Sequence, residues 1–145
     1  MKKVKNLLGQ KGHAVYSVTS GTTVFEALKL LVQKNIGALI VIDDGKLSGI
    51  FSERDYARKV ILQGKSSRET PISDIMTAKV ISVTAEDSIH HCMELMSNRK
   101  IRHLPVVDAQ NPLHVVGMIS VSDIVTAIIE DQQQTIEHLH QYIQS

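Results

Sequence analysis

The stretch Gly49-Ile50-Phe51-Ser52-Glu53-Arg54-Asp55 returns later in the chain as Gly117-Met118-Ile119-Ser120-Val121-Ser122-Asp123. Both copies place Gly, Ser and Asp at the same offsets, and two apolar residues follow each Gly. Such a pattern, occurring twice in a chain of 145 residues, indicates an internal repeat.

The repeat extends well beyond these two stretches. One constant shift superimposes Ser17-Val18-Thr19 on Ser82-Val83-Thr84, and it also aligns Leu39 with Leu104. After residues 109–112, which lengthen the second turn, a slightly larger shift aligns the two Gly-Ser-Asp patterns. The chain therefore contains two copies of one structural unit.

Each copy is predicted to form strand, helix, strand, strand and helix in that order. In the first copy, residues 15–18 are predicted to form a strand, and Thr22 or Thr23 caps a helix that ends at Asn35. A hairpin follows, with a buried strand over residues 37–42, a turn over residues 43–46 and the return strand over residues 47–51. Ser52 begins the second helix. The helix face predicted to be buried carries Val24, Ala27, Leu28, Leu31 and Val32.

One copy is too small to bury a good core by itself. We therefore predict an α/β (α+β) fold in which two units, related by pseudo-two-fold symmetry, pack sheet to sheet. The predicted boundaries are 1–64 for the first unit with its N-terminal lead-in, 65–78 for a polar linker, and 79–145 for the second unit with a long C-terminal helix. Residues 72–77 and residues 4–8 are predicted to be equivalent segments that introduce the two units.

The Ser-x-x-Asp pattern allows two interpretations. It resembles a capping box, in which the Ser caps a helix and the acid at the third helical position bonds back. A cap alone explains neither the Gly at the same offset nor the Asp, because the box prefers Glu or Gln. In the functional interpretation, the Gly leaves room for a ligand, the helix start favours phosphate, and the Asp accepts two hydrogen bonds from a ribose. One motif can serve both purposes.

Composition narrows the function. The net charge of +1 offers no global field for nucleic acid or a membrane surface, and aromatic residues make up only 3% of the chain. A single cysteine fits a reducing compartment, and no apolar stretch reaches the length of a signal peptide or a membrane span. We therefore expect a cytoplasmic protein that binds neither nucleic acid nor membrane.

The motifs Gly49–Asp55 and Gly117–Asp123, with Ile101-Arg102-His103-Leu104-Pro105-Val106-Val107-Asp108, resemble the tandem CBS domain pair, or Bateman module. Residues 18–43 and 52–60 look most like small stand-alone bacterial members. The resemblance covers nearly the whole chain. It implies an adenosine ligand (AMP, ADP or ATP, with NAD(H) or S-adenosylmethionine as alternatives) in the cleft between the units.

The resemblance also implies which residues bind. For the first site these are Thr19, Gly37, Ala38, Ser52, Arg54 and Asp55, and for the second site Thr84, Ile101, Arg102, His103, Pro105, Ser120 and Asp123. The aspartates would hold riboses, the serines ribose or phosphate, and the threonines the base and phosphate region. Phosphate charge would come from Arg54 in the first site and from Arg102 or His103 in the second. Whether one or both sites fill stays open.

Other reactive residues receive structural interpretations. His90, His91 and Cys92 are adjacent on a helix and so point in different directions, and Cys92 aligns with Ala27 as a small core residue. His138 and His140 are predicted to lie at the surface. No ordered catalytic set and no metal site emerges, so we expect neither an enzyme nor a catalytic cofactor.

The C-terminal stretch after Asp123 is predicted to be one long helix. Its apolar residues are Ile124, Ile128, Ile129, Ile136, Leu139 and Ile143. Packing on its own domain and pairing with a second copy are both possible, and we favour a homodimer because two-fold pairing is the commonest oligomer.

The hypothesis is a regulatory module that senses adenine nucleotide and signals to a separate, unidentified partner protein. Two alternatives remain: a nucleotide-free dimeric scaffold and an enzyme that acts on the nucleotide. Only His103 and Glu53 are candidates near the phosphates for the latter.

Overall fold

The computed structural model describes residues 2–144. Helices span Val4–Lys11 (α1), Val24–Lys34 (α2), Glu53–Tyr56 (α3), Ile89–Arg99 (α4) and Val121–Gln144 (α5), and strands span Ser17–Val18 (β1), Ala38–Asp43 (β2), Lys46–Ser52 (β3), His103–Asp108 (β4) and Asn111–Ser120 (β5). α3 continues as a π-helical turn over Ala57–Ile61, and Ile72–Asp74 forms a 3₁₀ turn. The predicted mixed α/β fold with two units is confirmed.

The first unit follows its local sequence signals. Thr23 caps α2, because its side chain accepts a hydrogen bond from the backbone N–H of Glu26. Asn35 ends that helix in the left-handed conformation, which Asn tolerates better than most residues. Asp44 and Gly45 both have positive φ, as a type I′ hairpin turn between β2 and β3 requires. β1 pairs parallel to β2, which pairs antiparallel to β3.

The second unit lacks a full first strand. β4 and β5 form a two-stranded antiparallel sheet. The expected strand before them, the counterpart of β1, is reduced to one bridge in which Val83 pairs parallel with Val106. Val80 and Ile81, which precede this bridge, line a cavity between the units. The sheets of the two units meet where β3 contacts β5.

The segments that introduce the two units are exchanged between the cores. Val4, Leu7 and Leu8 of α1 are buried in the second core, whose other members include Ile119 and Ile124. Reciprocally, Ile72 and Ile75 are buried in the first core, beside residues such as Val24 and Phe51. We call α1 and residues 72–77 the crossed segments.

Equivalent hydrogen bonds hold both crossed segments. Lys3 bridges Ser88, the residue that caps α4, and Pro71 bridges Thr23, the residue that caps α2. The exchange agrees with the predicted pseudo-two-fold relation between the units. The predicted division of the chain at residues 64 and 79 stays a prediction. The structure adds that α1, which precedes the first unit, packs in the second core, and that residues 72–77, which precede the second unit, pack in the first core.

The two glycines of the repeated motif allow close approach of the crossed segments. A Cβ atom on Gly49 would lie 2.7 Å from Met76 Sδ and 2.9 Å from the Thr77 carbonyl oxygen. A Cβ atom on Gly117 would lie 2.8 Å from Leu8 Cδ2. The interpretation that these glycines leave room for a ligand is therefore wrong, because protein atoms fill the space.

Burial confirms most of the predicted helix face. Val24, Ala27 and Leu31 are buried, and Cys92 occupies the core position that matches Ala27. Burial also raises the pKa of the Cys92 thiol to about 11. Val32 is an exception: it is 81% exposed, so its predicted burial is wrong. It lies near the C-terminal end of α2, next to the polar residues Gln33 and Lys34.

Among the helices described over residues 2–144, none is both long and apolar enough to cross a membrane.

Candidate functional site

A cavity of about 680 Å³ lies between the two units. The first unit and its continuation contribute Gly37, Ile50, Ser52, Glu53, Arg54, Asp55, Arg58 and Lys59, and the second unit with the segment before it contributes Thr77, Lys79, Val80, Ile81, Arg99, Lys100, Ile101, Arg102, His103 and Pro105. This volume falls within the range of small-molecule sites in proteins. Any molecule that fills the cavity will touch both units.

Ser52 and Asp55 at the cavity form a complete capping box. The backbone N–H of Asp55 donates to Ser52 Oγ over 3.2 Å, and the backbone N–H of Ser52 donates to Asp55 Oδ2 over 3.0 Å. Lys59 Nζ lies 3.2 Å from Asp55 Oδ1, and the carboxylate is 14% exposed. The capping interpretation is thus confirmed with Asp in the role that Glu or Gln usually takes. The box also fixes the carboxylate at the cavity wall.

The equivalent Ser120 and Asp123 form the same box at the start of α5. The backbone N–H of Ser120 donates to Asp123 Oδ2 over 2.8 Å. Here, however, Lys11 Nζ from α1 lies 2.7 Å from the same oxygen and also donates to the Met118 carbonyl over 2.8 Å. Burial raises the pKa of Asp123, but the hydrogen bonds from Lys11 and Ser120, together with the charge of Lys11, outweigh it, so the pKa is lowered overall. Lys11 therefore pairs with the second aspartate, as Lys59 pairs with the first.

The structure divides the predicted site residues between the cavity and its surroundings. Those it brings together at the cavity are Gly37, Ser52, Arg54, Asp55, Ile101, Arg102, His103 and Pro105. They come from both predicted sites, because the pseudo-two-fold relation places the Ser52–Asp55 box of one unit against the other unit's residues 101–105.

Five predicted residues lie outside this cavity. Thr19 Oγ1 shares a hydrogen bond with Thr22 Oγ1, and Thr84 bonds to Asp87, so both stabilise turns before helices. Ala38 is fully buried in β2. Ser120 and Asp123 form the second box with Lys11. Whether any of the predicted residues binds a ligand stays a prediction.

The cavity concentrates positive charge that sequence reasoning largely missed. Its lining includes seven basic side chains but only two carboxylates, Glu53 and Asp55. The basic residues are Arg54, Arg58, Lys59, Lys79, Arg99, Lys100 and Arg102. Because the whole chain has a net charge of only +1, this excess is local. The adjacent pairs Arg58-Lys59 and Arg99-Lys100 were the sequence signal, but their convergence depends on the fold.

Most of these cations have no acidic partner. Of the seven, only Lys59 takes part in an ion pair formed within residues 2–144. Arg54 Nη1 donates to the Lys100 carbonyl oxygen over 3.0 Å, an interaction that leaves its charge uncompensated. The lining of the cavity therefore carries a net positive charge.

His103 forms part of the cavity wall and contacts the opposite unit. A Cβ atom on Gly37 would lie 3.2 Å from His103 Cε1, so the ring packs against a position where only Gly fits comfortably. Burial, followed by the charge of Arg102, lowers the pKa of His103 below its ordinary value of 6.5, although Asp123 acts in the opposite direction. Burial and the neighbouring charge of Arg102 therefore favour the neutral form of His103.

The depressed pKa of His103 predicts acid sensitivity. Below pH 6.5 the unfolded chain takes up a proton at His103 before the folded chain does, so the free energy of unfolding falls as the pH is lowered towards the folded pKa. Each unit of pKa difference corresponds to about 1.4 kcal/mol. Urea unfolding of His103→Gln between pH 7.5 and 5 should show a smaller loss than the wild type. His138→Gln, an exposed control on α5, should follow the wild type; equal losses in all three proteins would contradict the assignment.

The family model of the CBS domain matches residues 12–61 and residues 72–130. The chain belongs to the CBS domain family. Its two units are thus a CBS pair, and the recognised resemblance is confirmed. The CBS domain-containing protein CBSX3, mitochondrial, of Arabidopsis thaliana is 41% identical over 131 residues, which cover 87% of this chain. The match spans 62% of the length of CBSX3.

Solved CBS structures share the architecture. A protein with CBS domains from Burkholderia ambifaria MC40-6 is 44% identical, with a TM-score of 0.85 over 90% of this chain and 96% of that chain. The CBS domain pair of protein MJ0100, solved in complex with 5′-methylthioadenosine and S-adenosyl-L-methionine, is 30% identical, with a TM-score of 0.78 over 90% of this chain and 98% of that chain.

Within the described part of this CBS pair, residues 2–144, no three His, Cys, Asp or Glu side chains form a group able to hold a metal ion.

Proposed function

We propose that this CBS pair is a regulatory module that binds one phosphate-bearing adenosine nucleotide in the cavity between its units and signals to a separate protein. The observation that carries the proposal is the excess of positive charge around a cavity whose wall also presents the Asp55 carboxylate. A nucleotide matches both features, since its phosphates are anionic and its ribose hydroxyls are hydrogen-bond donors.

Charge separates this proposal from the ligands of the solved MJ0100 pair. S-adenosyl-L-methionine carries a sulfonium cation and 5′-methylthioadenosine is neutral, so neither would offset the cationic lining. In a partly desolvated cavity, charge interactions are stronger than in bulk water. We therefore expect ATP, ADP or AMP to bind in preference to either compound, with NAD(H), which also carries phosphates, as the alternative.

The cavity provides distinct surfaces for each part of a nucleotide. We infer that Asp55 accepts hydrogen bonds from the ribose, and its capping box, which holds the carboxylate at the cavity wall, supports this role. Arg58, Lys79 and Arg102 are the basic residues from three separate segments that would surround the phosphates. Arginine suits this role because its planar guanidinium can meet two phosphate oxygens at once. Ile81 and Ile101 offer an apolar surface for the base.

Ligand binding at this position would couple the two units. A nucleotide contacts residues of both and therefore stabilises one relative arrangement of them. Free ligand at a hundred times its dissociation constant adds about 2.7 kcal/mol to the binding-competent state. A partner protein that distinguishes the two arrangements would read the nucleotide level. No catalytic role is proposed for the module.

We propose one ligand per chain, because Asp55 lines the cavity between the units whereas Asp123 does not. Lys11 occupies Asp123 through an ion pair of 2.7 Å, so a ribose would have to displace it. At the equivalent place in the other unit, Lys79 lines the cavity and does not pair with Asp55, whose ion-pair partner is Lys59 at 3.2 Å. A cytoplasmic location is part of the proposal, because the single cysteine is a buried free thiol and this fits a reducing compartment.

Calorimetric titration of ATP, AMP, NADH and S-adenosyl-L-methionine into the wild type and Asp55→Ala tests the proposal. A lost hydrogen bond to a charged group costs about 1.5–3 kcal/mol, so Asp55→Ala should weaken nucleotide binding at least tenfold. We expect one site per chain, with ATP bound more tightly than S-adenosyl-L-methionine.

Asp74→Ala is the matched control, since Asp74 is exposed, lies outside the cavity and makes the same change in charge. It should bind like the wild type. Equal affinity of Asp55→Ala and the wild type would remove Asp55 from the site. Absence of heat with every adenosine compound would favour the nucleotide-free scaffold.

A further inference from the structure

Helix α5 extends well past the body of the second unit. Its first half is anchored, because Ile124 and Ala127 are almost fully buried in the second core. Every residue from Gln132 to Ile143 is exposed. At 1.5 Å per residue this exposed part is about 18 Å long. A helical segment of this length is marginal in water unless one of its faces packs against something.

An apolar stripe runs along the exposed side of α5. Its members are Val125, Ile129, Gln132, Ile136, Leu139 and Ile143, which we call the α5 stripe. The apolar members are between 47% and 80% exposed. Successive members are separated by four and three residues in strict alternation, as in the a and d positions of a heptad repeat. Ile129, Ile136 and Ile143 take the a positions, and Val125, Gln132 and Leu139 take the d positions.

We propose that α5 pairs with α5 of a second copy of this chain as a parallel, two-stranded coiled coil. β-Branched Ile at a with Leu at d favours this number of strands in parallel dimers. A single polar d residue, Gln132, lies between apolar layers and opposes its own copy only when the helices are in register. The pairing is self-complementary and closes as a two-fold dimer. This inference is independent of the proposed nucleotide binding.

The charges on α5 also suit pairing between identical helices. No Asp, Glu, Lys or Arg occupies an e or g position, which hold Thr126, Ile128, Gln133, Thr135, His140 and Tyr142. The acidic residues Glu130, Asp131 and Glu137 fall at b and c, away from the seam, and Lys2 pairs with two of them. Two parallel copies therefore meet without like-charge repulsion along the seam.

A membrane surface is the less favoured occupant. Helices that lie on membranes are typically rich in Lys and Arg on their polar face. The sequence from Val121 to Gln144 contains no Lys or Arg and has four acidic residues. Anionic lipid headgroups would repel such a helix.

Sedimentation equilibrium of the full chain at micromolar concentrations tests the pairing. The wild type should be a dimer, and Ile136→Ala/Leu139→Ala should raise the dimer dissociation constant at least about tenfold, because it truncates one a and one d layer. Glu137→Ala/Gln141→Ala, which alters the neighbouring b and f positions, should leave the constant unchanged. A monomeric wild type, or a dimer that tolerates the Ile136→Ala/Leu139→Ala change, would overturn the proposal.

Disulfide formation tests the parallel register. Under mild oxidation, Gln132→Cys should cross-link two chains, since identical d positions face each other in a parallel coiled coil. Gln134→Cys at the outward f position is the matched control and should not cross-link. The natural Cys92 is fully buried and does not compete. A dimer in which neither variant cross-links, or both do equally, would rule out the parallel arrangement.

Discussion

Leu8→Ala is expected to lower the free energy of unfolding by about 2–5 kcal/mol, the range for a buried leucine truncated to alanine. Leu8 is only 1% exposed and packs in the second core, although it lies in the first helix of the chain. Natural domains are stable by about 5–15 kcal/mol, so this loss is a large share of the total. Urea denaturation followed by circular dichroism measures it.

Leu62→Ala is the matched control for Leu8→Ala. Leu62 is 79% exposed, so the same chemical change should alter the free energy of unfolding by no more than about 0.5 kcal/mol. If Leu8→Ala costs as little as Leu62→Ala, α1 does not belong to the second core. The comparison thus tests the exchange of crossed segments directly.

Gly49→Val is expected to cost about 3 kcal/mol, at the upper end for overpacking a core. The new Cβ would approach the Thr77 carbonyl oxygen to 2.9 Å. That backbone cannot move away easily, because Ile50 and Thr77 exchange two hydrogen bonds of 3.0 Å and 2.9 Å. Thermal denaturation should show a clearly lower midpoint. Ile50 and Thr77 also line the cavity, so the same variant should weaken any ligand bound there.

Two further variants make the test of Gly49→Val specific. Gly21→Val is the control, since no atom lies within 4 Å of a Cβ built on Gly21. Gly117→Ala should cost less than Gly49→Val, because the Cβ meets only the side chain of Leu8, which can rotate. Leu8→Ala and Gly117→Ala should also couple in a double-mutant cycle, since they share one contact. Equal stability of Gly49→Val and Gly21→Val would show that the contact is not tight.

The sequence predicted those features that depend on local chemistry. The hairpin turn over residues 43–46, the cap at Thr22 or Thr23 (Thr23 in the structure) and the helix end at Asn35 each follow from residues within a few positions of one another. Both Ser-x-x-Asp boxes were likewise readable, because a cap needs only its own four residues. The repeat supplied the order of elements in both units.

The exchange of segments could not be read from the sequence. Residues 4–8 and 72–77 were correctly matched to each other. The two cores are related and both apolar, however, so the pattern of apolar residues does not indicate which core receives which segment. The shortening of the strand at Val83 could not be predicted for a similar reason: Val80 and Ile81 would be apolar both in a sheet and at the wall of a cavity.

The candidate site was predicted in part. Asp55 and Ser52 were predicted from their motif, and His103 was predicted from the resemblance of residues 101–108 to the middle strand of the CBS domain. Arg58, Lys79 and Arg99 were missed, because their common location depends on how one unit turns against the other. Lys11 was missed for the same reason, because its contact with Asp123 joins residues that are 112 positions apart in the sequence.

The crossed segments affect the order in which the two cores can form during synthesis. The ribosome makes Val4, Leu7 and Leu8 well before Ile119 and Ile124, the residues with which they share the second core. At about 5–20 residues per second, translation leaves these apolar side chains waiting on the order of ten seconds. The first unit has its own crossed segment, Ile72 to Ile75, as soon as about half of the chain has been made. During synthesis the first core can therefore close before the second, which becomes complete only when Ile119 and Ile124 pack against α1.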